Sequence, residues 1–268
     1  MLTIQKILLS IDPLAKIADM KLASKKIVLS SGSSPLGKEL LPLLLSEGAL
    51  VVVGDSNPEE IPNHPNLQKY KIDPSKPDQM ERLIESAIET LDKIDVFILN
   101  SEQITYAEDE KEDWNKLKAL FHSNTLAPIY TVQRLTNLIS VGLHIIVVSS
   151  DLTKIPTPGF GLYGSTKSAL DYFWDSFRKQ MGREFRFSRV IALEPKLSDP
   201  KRLAGRVLQS VLRPKKRRYE HFSQLGNLFL LKFLPFLHFF RTLVYGIRLK
   251  KEKKKKISPD DLAPSTEN

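Results

Sequence analysis

Five unbroken apolar runs, rich in β-branched residues, constrain this chain more than anything else in it: KIVLS at 26–30, ALVVVG at 49–54, IDVFIL at 94–99, LHIIVV at 143–148 and RVIAL at 189–193. A strand with one wet face alternates apolar and polar residues, whereas a strand covered on both faces does not need to. These runs therefore predict buried parallel strands. Between them lie stretches with apolar residues at helical spacing. Residues 79–91 are the clearest, with Met80, Leu83, Ile84, Ala87, Ile88 and Leu91 on one stripe. Residues 36–47, 114–140, 163–181 and 201–212 follow the same period. Strand–helix alternation at this spacing predicts an α/β fold of Rossmann type, a single-domain doubly wound parallel sheet with right-handed crossovers.

The composition admits this fold and removes some alternatives. A chain of 268 residues, 41% hydrophobic and 26% charged, can bury a full core without covalent staples. It has no cysteine, which rules out disulfides and thiolate metal sites, and its five histidines show no ligand spacing. No metal is expected.

Two short segments carry chemistry. Residues 26–38 read KIVLSSGSSPLGK, a Ser/Gly-rich turn between the first strand and the first helix. Backbone N–H groups and a helix N-terminus face a pyrophosphate at such a turn. Ser34-Pro35 also reads as a plain N-cap and first helical residue. Asp55 closes the second strand, where an acid would bond the adenosine ribose hydroxyls and repel a 2′-phosphate, favouring NAD over NADP. A solvated loop acid accounts for Asp55 equally well.

The second segment, VSSDLTKIPTPGFGLYGSTK at 148–167, ends a strand at Ser149-Ser150 and starts a helix near Tyr163. Tyr163 and Lys167 are four apart, on one helical face. A free phenol titrates near pH 10, and a neighbouring ammonium favours its ionised form, which makes a usable acid or base for carbonyl–alcohol chemistry. Spacing alone proves little, since a tyrosine and a lysine four apart are usually surface residues.

The whole ordered set resembles the short-chain dehydrogenase/reductase family over residues 26–219. YGSTK looks like its YxxxK box, Ser150 like its catalytic serine and Asn124, in FHSNTLAPIYTVQ, like its catalytic asparagine. Asp73 in YKIDPS is similar to the acid that contacts adenine. The resemblance implies that Tyr163 moves the proton on the substrate oxygen, Ser150 orients that oxygen, Lys167 holds the nicotinamide ribose and Asn124 positions a relay water. It also implies a dinucleotide, NAD or NADP, held by Ser31, Gly32, Ser34, Leu36, Gly37, Asp55, Asp73, Asn100, Tyr163 and Lys167.

Several positions depart from the pattern. Against TGxxxGxG the chain reads SSGSSPLG, with Ser31 and Pro35 in place of two glycines and only Gly37 kept. Gly32, one place late, is expected to supply the tight turn. NNAG becomes LNSE, with Asn100 kept and Glu102 at the glycine, and PG becomes Pro195-Lys196. The connection after Pro195, which in the family supplies a substrate lid, is short.

Charge divides the chain. Residues 201–256 carry +15 and the rest −6, so an anionic partner is expected for the C-terminal part. Residues 225–249 are long enough to span a bilayer, but Lys232, Pro235, His238 and Arg241 interrupt their middle. With KKRR before and KKEKKKK after, residues 221–256 read as amphipathic helices at an anionic membrane surface. A dimer-forming or core-closing helix is the competing account; nucleic acid is least favoured, because no binding motif accompanies the charge. Residues 1–25 are expected to form a short docking segment and 257–268 a disordered tail. The protein is thus expected to be cytoplasmic and peripherally membrane-associated, acting on an apolar substrate, with its oligomeric state open. The competing reading is a catalytically weak relative that binds lipid or protein.

Overall fold

The computed structural model describes residues 22–100, 103–104, 113–221 and 224. The expected docking segment at 1–25 lies almost wholly outside these residues, as do Glu102, nearly all of the amphipathic segment and the tail.

Seven parallel strands form one sheet: β1 (Lys26–Ser30), β2 (Leu50–Asp55), β3 (Leu67–Lys71), β4 (Val96–Leu99), β5 (His144–Ser150), β6 (Arg186–Ala192) and β7 (Arg217–Tyr219). Their order is β3-β2-β1-β4-β5-β6-β7. The chain winds outward from β1 to β3, then returns to β4 on the other side of β1, and the crevice beyond these strand ends is the ligand position of doubly wound sheets.

Six helices cover the faces: α1 (Pro35–Ser46), α2 (Pro77–Leu91), α3 (Trp114–Phe121), α4 (Ala127–Leu138), α5 (Gly161–Gln180) and α6 (Pro200–Leu212). Successive strand residues point to opposite faces. Ile27, Leu29, Val51 and Val53 meet Leu40 and Leu44 of α1 and Leu203 and Val207 of α6. Val28, Val52 and Phe97 meet Leu83 and Ile84 of α2, Val132 of α4 and Trp174 of α5. That two-sided burial is why five of the strands read as continuous apolar runs.

Three features differ from expectation. Strands β3 and β7 escape the apolar-run criterion, because each lies at a sheet edge and β3 keeps every residue partly open to solvent. The helix expected over 114–140 is broken by a π turn at His122–Leu126, which carries Asn124. Half of the KKRR run is structural: Arg217 and Arg218 lie in β7, the first bonded to Asp175 at 2.7 Å and the second to the Gln209 carbonyl at 2.9 Å. Among the described residues, no helix is long and apolar enough to cross a membrane.

Candidate active site

The ends of β1, β2, β4 and β6 enclose a cleft of about 540 Å³. Ser31, Ser34, Pro35, Leu36, Asp55 and Asn100 form one side, Ala192, Leu193, Pro195 and Ser198 the other, and Tyr163 reaches it from α5. Of the expected site residues, Gly32, Gly37, Asp73, Asn124, Ser150 and Lys167 do not line it.

The first turn is held by a small polar network. Ser34 caps α1, its hydroxyl accepting from Gly37 N–H at 3.0 Å and donating to the Ser31 carbonyl at 2.8 Å. Asn100 Nδ2 donates to that same carbonyl at 3.1 Å and to Ser34 Oγ at 2.8 Å. Asp55, only 1% exposed, accepts from Ser33 N–H at 2.7 Å, from Ser33 Oγ at 2.8 Å and from Asn57 N–H at 2.8 Å. Ser33 was not among the expected residues, though the register that sets Ser30 beside Gly54 brings the turn to the end of β2.

Gly32 does not make the turn. The residue in the left-handed region is Ser31, at φ 61°. Gly32 is required by space instead: a Cβ there would stand 2.8 Å from Val53 Cγ1 and 2.9 Å from Ile61 Cδ1. Gly37 is tighter still, since its Cβ would fall 2.5 Å from the Ser31 carbonyl oxygen. The start of α1 is thus pressed onto the turn, as close helix–strand packing around a dinucleotide requires.

Asp73 does not line the cleft. Its carboxylate closes its own turn, accepting from Ser75 N–H at 2.9 Å and Ser75 Oγ at 2.7 Å. It lies between the end of β3 at Lys71 and the start of α2 at Pro77.

On the other side of the site, Tyr163 and Lys167 are both buried on α5, with the Lys167 ammonium 5.7 Å from the phenol ring centroid and 3.3 Å from the Val148 carbonyl it donates to. Tyr163 packs with Leu152 and Phe160. Ser150 ends β5 and caps the short 3₁₀ turn Asp151–Thr153, accepting from Leu152 N–H at 3.3 Å. Among the described residues its hydroxyl hydrogen has no acceptor, so it remains available to a ligand oxygen.

Asn124 is fully buried and already engaged. Its Oδ1 accepts from Gln103 N–H at 2.7 Å, and its amide hydrogens go to the Gln103 carbonyl at 2.7 Å and Thr166 Oγ1 at 3.2 Å. Thr125 Oγ1 donates to the Thr166 carbonyl at 3.0 Å. The π turn and α5 are therefore tied together next to Tyr163.

A buried ionic network fixes α5 to the sheet. Arg189 of β6, 1% exposed, pairs with Asp171 at 2.8 Å and Asp175 at 3.0 Å, and Ser149 Oγ donates to Asp171 at 2.7 Å. Burial pushes the Asp175 carboxyl up, but Arg189 and Arg217 outweigh it and hold it below the ordinary 3.8.

A strand–turn–helix cradle and a buried Tyr-Lys pair on one cleft agree with the comparisons. The family model described as short chain dehydrogenase matches residues 25–201. The chain belongs to that family. An uncharacterised oxidoreductase of Staphylococcus saprophyticus is 28% identical over 165 residues, 58% of this chain and 67% of the relative. The 11-beta-hydroxysteroid dehydrogenase 1A of Arabidopsis thaliana is 25% identical over 198 residues, 69% of this chain and 56% of the relative. The chain thus spans between about half and two thirds of the length of these curated relatives. A short chain dehydrogenase from Burkholderia cenocepacia, solved in complex with NADP, superposes with a TM-score of 0.71 at 18% identity, covering 84% of this chain and 99% of the other. That likeness supports the short-chain dehydrogenase fold.

A dinucleotide, which this fold binds as NAD or NADP, fits the two ends of the cleft better than its middle. Asp55, with its carboxylate already accepting from Ser33 and Asn57, and Tyr163 both line the cleft. Between them, Pro35 has no N–H, Ser33 N–H is held by Asp55 and Gly37 N–H by Ser34. Among the described residues, the N–H groups of Gly32, Ser34 and Leu36 donate to no protein acceptor in this turn.

Proposed function

We propose that this protein is an NAD(P)-dependent oxidoreductase that interconverts an alcohol and a carbonyl on a small apolar substrate. The observation that carries the reading is the reacting end of the cleft. Tyr163 lines it with the Lys167 ammonium one turn away, and the buried Ser150 hydroxyl hydrogen has no acceptor among the described residues. Asp55 favours NAD, because a 2′-phosphate would meet its carboxylate. NADP is the alternative, and it is the dinucleotide in the Burkholderia cenocepacia structure.

The chain's own residues divide the work. Ser150 donates a hydrogen bond to the substrate oxygen. Tyr163 gives that oxygen a proton in reduction and removes it in oxidation. The Lys167 ammonium favours the phenolate that remains, and would also hold the nicotinamide ribose. The bound dinucleotide supplies or accepts the hydride. Asn124, with its side chain spent on Gln103 and Thr166, holds α5 in place; a relay water would be held by main-chain groups of the π turn rather than by its amide. Ser31, Ser34, Leu36 and Asn100 would line the dinucleotide, while Gly32 and Gly37 let the turn close behind it.

Support for an apolar substrate comes from Ile104, Leu193 and Leu203 in the cleft lining, and from the Arabidopsis thaliana relative, which is named for a hydroxysteroid. The basic, apolar C-terminal segment supports a peripheral position on an anionic membrane at the cytoplasmic side.

The second reading, a weakly active relative with a binding role, is favoured by one observation: the Ser33 and Gly37 N–H groups of the first turn are spent within the protein and Pro35 has none. Titration with NADH and NADPH, followed by fluorescence, separates the two. The enzyme reading expects saturable binding of at least one, and binding of neither would sink it. Tyr163→Phe is then expected to cut turnover at least about 100-fold, the scale of a lost general acid, with dinucleotide affinity preserved; unchanged turnover would refute the role of Tyr163.

A further inference from the structure

The wall of the cleft opposite the first turn is residues 193–199, the connection between β6 and α6. It has little structure of its own, a turn in which Leu197 N–H and Ser198 N–H both donate to the Glu194 carbonyl, at 2.8 and 3.0 Å. What closes its two ends is a side chain from elsewhere. Glu220, just past β7, is fully buried. Its Oε2 accepts from Leu193 N–H at 2.8 Å and Ser198 Oγ at 2.8 Å, and its Oε1 accepts from Asp199 N–H at 2.7 Å.

The main chain of Glu220 is equally committed. Its N–H donates to the Ile191 carbonyl at 2.9 Å, and its carbonyl accepts from Arg206 Nε at 3.3 Å. The carboxylate is therefore seated by β6 and α6 and cannot follow the loop if the loop moves. Leu193, Pro195 and Ser198 all line the cleft, so the carboxylate sets the position of that wall.

We infer that Glu220 is a positioning residue: a buried carboxylate clamp that pinches both ends of the 193–199 loop and holds it as the wall of the dinucleotide cleft. Charged acceptors make the stronger hydrogen bonds, and a buried N–H left without its acceptor bears the full cost of desolvation. Without the carboxylate the cheapest relief is for Leu193 and Asp199 to turn to water, which opens the wall. An amide in its place offers one acceptor oxygen and two hydrogens, so it can satisfy one end of the loop and repels the other.

The test compares Glu220→Gln with the wild-type full chain by amide hydrogen exchange and by NADH and NADPH titration. Exchange within 193–199 is expected to rise at least about tenfold, the equivalent of one lost charged hydrogen bond, with the amides of β5 changed by less than about twofold. Affinity for the dinucleotide is expected to fall by about the same factor. Unchanged exchange in the loop overturns the clamp. So does a uniform rise through β5 and the loop together, which marks a carboxylate that merely supports the fold. Should Glu220→Gln fail to fold, Ser198→Ala removes a single arm, and a selective rise confined to 193–199 is again required. The affinity measurement rests on the dinucleotide reading above, and the exchange measurement does not. A wild-type protein that binds neither dinucleotide defeats that reading while leaving the clamp to be decided.

Discussion

Ser31 carries a conformational cost that a glycine would not. A non-glycine residue in the left-handed region costs about 1 kcal/mol or more, and Ser31 sits there at φ 61° with its carbonyl fixed by Ser34 and Asn100. Ser31→Gly keeps every main-chain bond of the turn and removes the Cβ. It is expected to relieve about 1 kcal/mol of left-handed strain, offset by the greater unfolded-chain freedom of glycine so that stability changes by less than about 1 kcal/mol, and to tighten NADH binding by letting a phosphate approach the backbone. Chemical denaturation checks the first effect and fluorescence titration the second. This residue also marks a limit of sequence reading. A glycine stood next to the expected place, and nothing in the residue types says that the serine bends while the glycine makes room for Val53 and Ile61. Tyr163, Lys167 and Ser150 stand out in the sequence because each has a side chain whose chemistry is its own. Asp73 is less distinctive, because the same acid serves equally well as a turn closer.

At the scale of elements, β5 holds a titrating group away from the cleft. His144 begins the strand, buried against β6, with Nε2 2.8 Å from Ser188 Oγ. Burial, then the charge of Arg186, pushes it down from 6.5 to about 4. The folded protein therefore resists protonation that the unfolded chain accepts. The contribution of His144 to stability is full above pH 6.5 and is lost as pH drops toward 4. Between pH 7.5 and pH 5 the expected loss is about 2 kcal/mol. His144→Gln is expected to flatten this part of the profile, measured by denaturation midpoints across the range. Asp175, held below 3.8, titrates outside this window. Elements were legible in the sequence in proportion to their burial. β1 matched the reading to the residue, while β3 and β7 were missed because an edge strand loses the two-sided covering that makes a run apolar. The π turn was missed because it adds one residue to a helix without disturbing the helical stripe enough to show.

For the whole molecule, the packed domain extends slightly further than the motifs suggested. Leu22 at one end and Gln224 at the other are buried, and Gln224 Nε2 donates to the Ile191 carbonyl at 3.3 Å. A chain cut at 220 would lose that contact, so a truncation that asks about membranes should end at Gln224. The full chain is expected to sediment with vesicles rich in phosphatidylserine and to be released by high salt, because the basic runs act through a screened surface potential. The chain ending at Gln224 is expected to stay in the supernatant; sedimentation of both would remove residues 225–256 as the cause. The sheet itself has a further consequence. Its outer strands are five and three residues long, and they carry Lys69 and Lys71 on one side and Arg217 and Arg218 on the other. Short edges guarded by cations are poor templates for a strand from another chain. Among the described residues, the sheet edges therefore offer little to a strand from a second copy.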